Sequence, residues 1–188
     1  GTDVGSGLYA LNAGNPLLPG TQIVLNINAA GDTITGTAGG QTYFTISLNK
    51  ATGEVTFDQV KALWHANEAN ANDVSTLTTA NATDLAIRAI VTDADGDQTQ
   101  ASISLGAGVF SVYDDGPSIT LGSLGAADLL DVDETVLATN DSASFADNFA
   151  AAISYGADGA GTTTYVFTLS GTDVGSGLYA LNAGNPLL

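Results

Sequence analysis

The chain has 188 residues, 44% of them hydrophobic, and 20 Asp and Glu side chains against 3 Lys and Arg give it a formal net charge of −17. This charge argues against nucleic acid and direct membrane contact, because phosphate-bearing partners are bound through basic patches. The chain contains no Cys, which excludes disulfides, thiolate metal sites and thiol redox chemistry.

The first half of the chain is dominated by strand patterns. Its opening residues have strand character over 6–11, followed by a loop that contains Pro16. Runs rich in β-branched and aromatic residues, bounded by Gly, Asn and Asp, predict further strands. These strands cover residues 22–28, 42–48 and 54–57. The short connection before the last of them places Gly53 where a positive φ is needed.

The second half continues the strand pattern with little helical signal. Residues 84–92 and 100–105 predict a long hairpin, and residues 163–170 predict another strand. Two Ala-rich stretches, 60–72 and 145–153, predict at most a turn or two of helix each.

Many short strands with Gly-, Asn- and Asp-rich turns predict an all-β, immunoglobulin-like β-sandwich. Residues 1–18 recur identically as residues 171–188, which indicates a tandem array with a period of 171 − 1 = 170 residues. A sandwich of this type needs about 100 residues. We therefore expect either one sandwich with long insertions, which we favour, or two sandwiches per period.

The stretch Asp114-Asp115-Gly116-Pro117 is typical of a linker, because Pro117 presets an extended conformation for the next strand. Residues 1–113 are then expected to be the C-terminal portion of one repeat domain. Residues 114–117 form the Asp-rich linker, and residues 118–188 are the N-terminal portion of the next domain.

Acidic residues cluster in three places, and Asp is the turn-forming carboxylate that Ca²⁺ uses in loops. The first cluster is Asp93, Asp95 and Asp97. It is not an EF-hand, since Gln98 and Ser104 stand where that motif requires Gly and Glu. A hairpin turn at Asp95-Gly96 explains these acids by itself, and a bound cation is a further prediction because the acids would otherwise repel one another.

The other two clusters are Asp114 with Asp115 in the linker, and the run Asp131, Asp133 and Glu134 after it. Acidic turns at one end of a module, an acidic linker and acids early in the next module are typical of Ca²⁺ bound between domains. Such an ion would stiffen the joint.

Seven segments resemble the tandem repeats of giant type I-secreted RTX adhesins of Gram-negative bacteria. They follow one another in the order expected for such a repeat when the repeat is taken to begin at Asp114. They are residues 131–137, 176–181, 42–46, 53–57, 63–66, 91–97 and 114–118. The resemblance implies a secreted immunoglobulin-like extender on the bacterial cell surface, which binds Ca²⁺ at its linkers and holds an adhesive tip away from the cell. It implies metal ligands at Asp93, Asp95, Asp97, Asp114, Asp115, Asp133 and Glu134. The glycine-rich nonapeptide that names these adhesins is absent, and we interpret Asp158 as a turn residue.

Two other functions are alternatives to the extender. An enzyme is the least expected, because the single histidine, His65, follows the single tryptophan, Trp64, and is interpreted as a packed residue held by a backbone carbonyl. A sugar- or protein-binding sandwich of the same adhesin is the alternative, but recognition modules usually occur once, whereas spacers are repeated.

The identical segments 1–18 and 171–188 indicate what the chain contacts. Neighbouring identical repeats are expected in the same chain. We further expect residues 1–113 of one molecule to meet residues 114–188 of another; closure within one molecule is the alternative.

Overall fold

The computed structural model describes residues 3–182 and 185–186. Its main element is an antiparallel five-stranded sheet in which consecutive strands are neighbours. The strands are β1 (Val4–Leu11), β2 (Pro19–Ile27), β3 (Thr33–Ala38), β4 (Gln41–Leu48) and β5 (Val55–Gln59). The strands predicted over 22–28, 42–48 and 54–57 are confirmed as β2, β4 and β5.

Glycine sets two of the turns in this sheet. The connection from β4 to β5 contains Gly53 with φ +78°, as predicted, and the Gly53 N–H donates to the Asn49 carbonyl over 2.8 Å. The turn from β3 to β4 contains Gly39 and Gly40 with φ +55° and +75°, the pair of positive φ values that a tight two-residue hairpin requires. Local turn chemistry therefore fixes the order of the strands.

Two further strand pairs follow. Strand β6 (Val74–Thr78) pairs with β9 (Ala107–Tyr113), and β7 (Ala86–Thr92) forms a hairpin with β8 (Gln98–Ser104). This confirms the hairpin predicted over 84–92 and 100–105.

The core lies between the five-stranded sheet and the pair β6–β9. Alternating side chains of β1, β2 and β4 point into it, as expected for strands with one covered face. They pack in one cluster with side chains from the second layer. The largest side chains in it are Leu8, Ile23, Leu25, Phe44, Ile46, Leu63, Leu77, Leu85, Phe110 and Val112.

The region after the linker contains little regular structure. It has two short strands, β10 (Ser118–Ile119) and β11 (Ile153–Ser154), which pair with each other. Near the end, β12 (Leu181–Asn182) pairs with β13 (Asn185–Pro186). The only buried hydrophobic side chain that the structure describes beyond Pro117 is Ala152.

Of the two Ala-rich stretches, only the second forms a helix. The helix predicted within 145–153 is confirmed as α1 (Ala146–Ala150). The helical turns predicted within 60–72 are wrong, since these residues form bends and turns. The strand predicted over 163–170 is also wrong, because within residues 3–182 and 185–186 no strand pairs with this segment to supply ladder hydrogen bonds.

The fold is therefore all-β, with its core in the first 113 residues. No helix within the described ranges is long and apolar enough to cross a membrane.

Candidate functional site

The tip of the β7–β8 hairpin brings together the three acids of the first cluster. Asp93, Asp95 and Asp97 are exposed, and each has a carboxylate oxygen within 4.8 Å of the other two. Oxygen ligands at this spacing suit a hard cation. The structure thus supports a metal-binding triad at this turn, without identifying the metal.

Backbone hydrogen bonds fix the position of Asp93. Its Oδ1 accepts from the N–H groups of Gly96 (3.1 Å) and Asp97 (2.9 Å), and its own N–H donates to the Asp97 carbonyl over 3.0 Å. Gly96 has φ +101°, which confirms the predicted turn and which a residue with a side chain rarely adopts. The turn and the triad are therefore one structural unit.

A hydrogen bond from the Asp95 side chain, together with N–H donation from Asp97, Gly96 and Asp95, lowers the pKa of Asp93.

Backbone hydrogen bonds hold the linker on both sides. The Asp114 N–H donates to the Asp73 carbonyl (2.7 Å), and the Gly116 N–H donates to the Ala71 carbonyl (2.9 Å). The Asp115 carbonyl accepts from the Ala157 N–H over 3.2 Å. The linker is thus held by the loop before β6 and by the segment after β11.

A cavity of about 360 Å³ lies beside the linker. Asp114, Asp115 and Asp158 line it, together with Trp64 and His65. Desolvation and the negative charge of Asp114 raise the pKa of Asp158, with a further contribution from Asp115, while His65 acts in the opposite direction. Asp158, interpreted from sequence as a turn residue only, is thus part of an acidic group that sequence spacing does not reveal.

We predict that Asp158→Asn stabilises the protein in EDTA at neutral pH. A carboxyl whose folded-state pKa is raised favours folding when protonated, and that contribution is lost as the pH rises through the folded pKa. Removing the charge should raise the melting temperature by about 1–3 °C, given the small energies of exposed charges. Thermal melts at pH 7 and pH 4 check this: the gain should shrink at pH 4. Asp128→Asn, at another exposed position, is the control, and an equal gain there would contradict the prediction.

His65 is half-buried, as predicted for a packed residue. Its Nδ1 lies 3.2 Å from the Ser75 hydroxyl, which replaces the backbone carbonyl we expected as partner. The Trp64 ring contacts the Tyr9 ring edge-on with ring centres 6.2 Å apart, and the Trp64 backbone N–H donates to the Tyr9 carbonyl over 2.9 Å. These contacts tie the loop before β6 to strand β1.

The third acidic cluster has local roles. Asp133 accepts a hydrogen bond from the Thr135 N–H over 2.7 Å and caps the 3₁₀ helix Glu134–Val136. Hydrogen bonds from the Thr135 side chain and backbone lower the pKa of Asp133. Among the residues that the structure describes, the hairpin triad alone brings three such ligands within reach of one ion. Metal binding by Asp114, Asp115, Asp133 and Glu134 stays a prediction.

A larger cleft of about 830 Å³ opens between the five-stranded sheet and the β7–β8 hairpin. Its walls are mainly aliphatic and include Ile34, Leu48 and Ile87, and two of the three basic side chains of the chain, Lys50 and Arg88, also line it. The sequence gives no local signal for this cleft, since its walls come from strands far apart in the chain.

One family profile matches the chain over residues 2–106 and 129–188, which is most of its length. The chain belongs to this family, described as a domain of unknown function (DUF5801). The two matched segments leave out residues 107–128, which contain the linker. Comparisons with curated proteins and with solved structures found no match.

Proposed function

We propose that this DUF5801 chain is a calcium-stabilised extender of a secreted bacterial adhesin, one unit of a tandem array that projects an adhesive tip from the cell surface. The observation that carries the proposal is the triad of Asp93, Asp95 and Asp97, three exposed acids converging at one hairpin tip. In a chain of net charge −17, a cation relieves the repulsion that such convergence creates.

Calcium is the metal that this donor set favours. Three carboxylates supply only oxygen ligands, and Ca²⁺ accepts six to eight oxygens in flexible geometry, with water completing the shell. Mg²⁺ requires a near-ideal octahedron and gives up its water reluctantly. An exposed site with three protein ligands suits the weak affinity of extracellular calcium modules, about 10⁻⁴–10⁻³ M.

The spacer role draws support from the repeat and from the linker. Identical residues 1–18 and 171–188 are expected of neighbouring copies in an array. The family match is interrupted over residues 107–128, around the Asp114–Asp115 pair, which supports a domain boundary there. We propose a second calcium site at this boundary, where Asp158 joins the two linker acids.

Thermal unfolding in the presence of Ca²⁺ tests the calcium proposal. We expect about 10 mM Ca²⁺ to raise the melting temperature by about 3–10 °C, because a ligand that binds only the folded state stabilises it by mass action. EDTA should reverse the shift, and Mg²⁺ at the same concentration should give a smaller one. A melting temperature that does not respond to Ca²⁺ or EDTA would overturn the proposal.

A ligand-binding module is the second candidate, and the 830 Å³ cleft favours it. Its aliphatic walls with Lys50 and Arg88 alongside suit an apolar ligand that carries an acidic group. Equilibrium binding of such a ligand, weakened by Arg88→Gln but not by Asp95→Asn, would favour this function over the spacer.

A further inference from the structure

Two segments of identical sequence, residues 4–10 and 174–180, lie in different environments in this structure. In the first copy, Leu8 is 3% exposed within β1, whereas the equivalent Leu178 is 85% exposed. Tyr9 is half-buried against Trp64, whereas Tyr179 is 78% exposed. Because the side chains are identical, the second copy has the same capacity to occupy the β1 position next to a β2 strand.

The segment that precedes the second copy, residues 163–170, has the pattern of a strand with one apolar face. Tyr165, Phe167 and Leu169 alternate, and their exposed fractions are 53%, 106% and 79%. Tyr165 also contacts the Phe149 ring, with ring centres 5.7 Å apart, and Val166, between Tyr165 and Phe167, is 83% exposed. Alternation of this kind is typical of a strand with one covered face. Asp173 is the only charged side chain from residue 163 to residue 180. This stretch is therefore apolar enough to pack against a protein surface.

The cleft offers a surface that such a strand would cover. Ile90 of the β7–β8 hairpin lines the cleft and is 55% exposed. A two-stranded hairpin is marginally stable unless further strands or packing support it. The hairpin wall of the cleft at Ile90 is thus only partly covered among the residues that the structure describes, whereas Ile46 and Leu85 at its base are packed in the core.

The register places the start of β1 at the same end of the sheet as the cleft. Val4 pairs with Leu25, two residues before the cleft residue Ile27, whereas Leu11 pairs with Pro19 at the opposite end. A segment that leads into the β1 position therefore passes the mouth of the cleft.

We propose that two copies of this chain exchange their C-terminal segments. Residues 174–181 of each copy take the β1 position on the other copy's five-stranded sheet, displacing its residues 4–11, and residues 163–170 fill the adjoining cleft. Replacing one strand by an identical strand gains nothing by itself. The exchange is favoured by the additional burial of the three apolar side chains that precede the second copy.

Chain length favours a second molecule over closure within one. The Ala157–Asp115 hydrogen bond and Asp158 lie beside the cavity that Leu11 and Trp64 line, at the far end of β1. The five residues from Asp158 to Thr163 span at most about 18 Å, whereas the eight-residue strand β1 is about 26 Å long. A copy's own segment would have to give up the linker contacts to reach its own cleft.

Two matched substitutions in the full chain test the exchange, with EDTA present so that the outcome does not depend on the calcium proposal. By light scattering, the unchanged chain should have twice the 18.8 kDa mass of one chain. Leu178→Asp should raise the dimer dissociation constant at least about tenfold, because it puts a charge into the exchanged strand. Leu8→Asp should leave the dimer folded, because the displaced first copy is exposed. A monomeric unchanged chain, or unfolding by Leu8→Asp with no effect of Leu178→Asp, would overturn the proposal.

A disulfide trap gives an independent measurement in a chain that has no cysteine of its own. Tyr9 is opposite Gln22 in the β1–β2 register, so Tyr179 of one copy should lie opposite Gln22 of the other. Opposed strand residues are at a distance that a disulfide can bridge. Oxidised Gln22→Cys/Tyr179→Cys should migrate as a covalent dimer, with peptides joined between positions 22 and 179.

The controls separate exchange from chance contact. Each single-cysteine variant should give no more than background dimer, and Gln22→Cys/Tyr9→Cys should not be trapped as a dimer. A 22–179 link within a single chain would contradict exchange and indicate closure within the molecule, and the absence of any such link would also contradict the proposal.

Discussion

Replacing Phe44 with Ala is expected to destabilise the fold by about 3–5 kcal/mol, the usual cost of removing a large buried aromatic side chain. Phe44 is fully buried in β4, and its ring contacts that of Phe57 edge-on with centres 5.4 Å apart. The ring centre of Phe57 in turn lies 5.2 Å from that of Phe110 in β9, which belongs to the layer formed by β6 and β9. Loss of Phe44 therefore weakens the contact between the two layers as well as the sheet.

The space around Phe44 allows little compensation. Gly36 is directly opposite Phe44 on the neighbouring strand, and a Cβ at Gly36 would overlap the Phe44 ring. The glycine thus accommodates the ring, and no side chain from β3 can fill the cavity that Ala would leave.

Denaturant and thermal unfolding measure the effect of Phe44→Ala. A loss of this size should lower the melting temperature by roughly 10 °C in a chain of this length. Leu137→Ala is the control, because Leu137 is 85% exposed beyond the linker and surface truncations usually change stability by less than about 0.5 kcal/mol. Equal shifts in the two variants would contradict the placement of the core.

Much of the fold is predictable from sequence because its signals are local. The strands β2 and β4 combine β-branched or aromatic runs with flanking turn residues, and the turns at Gly53 and Gly96 need a positive φ that glycine supplies. Pairing of consecutive strands follows from such short turns. Strand β6 was not predicted, because its partner β9 lies about thirty residues away in sequence.

Residues 163–170 show the limit of local signals. Their alternating pattern is that of a strand, but a strand requires a partner for its backbone groups, and the pattern does not reveal whether one is present. The two copies of the repeat make the same point, since identical residues form β1 in one place and no strand over 171–180 in the other.

The candidate site also has one part that local sequence signals predict and one part that they do not. Asp93, Asp95 and Asp97 were predictable, because a tight turn brings residues two apart to one point. Asp158 joins Asp114 and Asp115 only through the packing of the segment after β11 against the linker. Such contacts between distant segments leave no spacing in the sequence that would predict them.

Replacing all three triad acids by Asn is expected to remove the part of the melting-temperature response to Ca²⁺ that the triad supplies, while the proposed linker site keeps the rest. Asn keeps the approximate size of Asp and can still accept the N–H hydrogen bonds that Asp93 receives from Gly96 and Asp97. The turn should therefore persist, and the unfolding transition in EDTA should remain close to that of the unchanged chain. What is lost is the negative charge that binds the cation.

The comparison that decides the role of the triad is between two triple variants. The second variant carries Asn at Asp58, Asp128 and Asp147, three exposed acids that lie outside all three acidic clusters. Both variants change the net charge from −17 to −14, so a general effect of charge would reduce the calcium response equally in the two. Calcium titrations followed by thermal melts, with isothermal calorimetry for the number of ions bound, measure the difference. We expect one ion fewer per chain in the triad variant alone. An unchanged number would mean that calcium binds elsewhere, and the remaining candidates would then be the linker acids with Asp158, and Asp133 with Glu134.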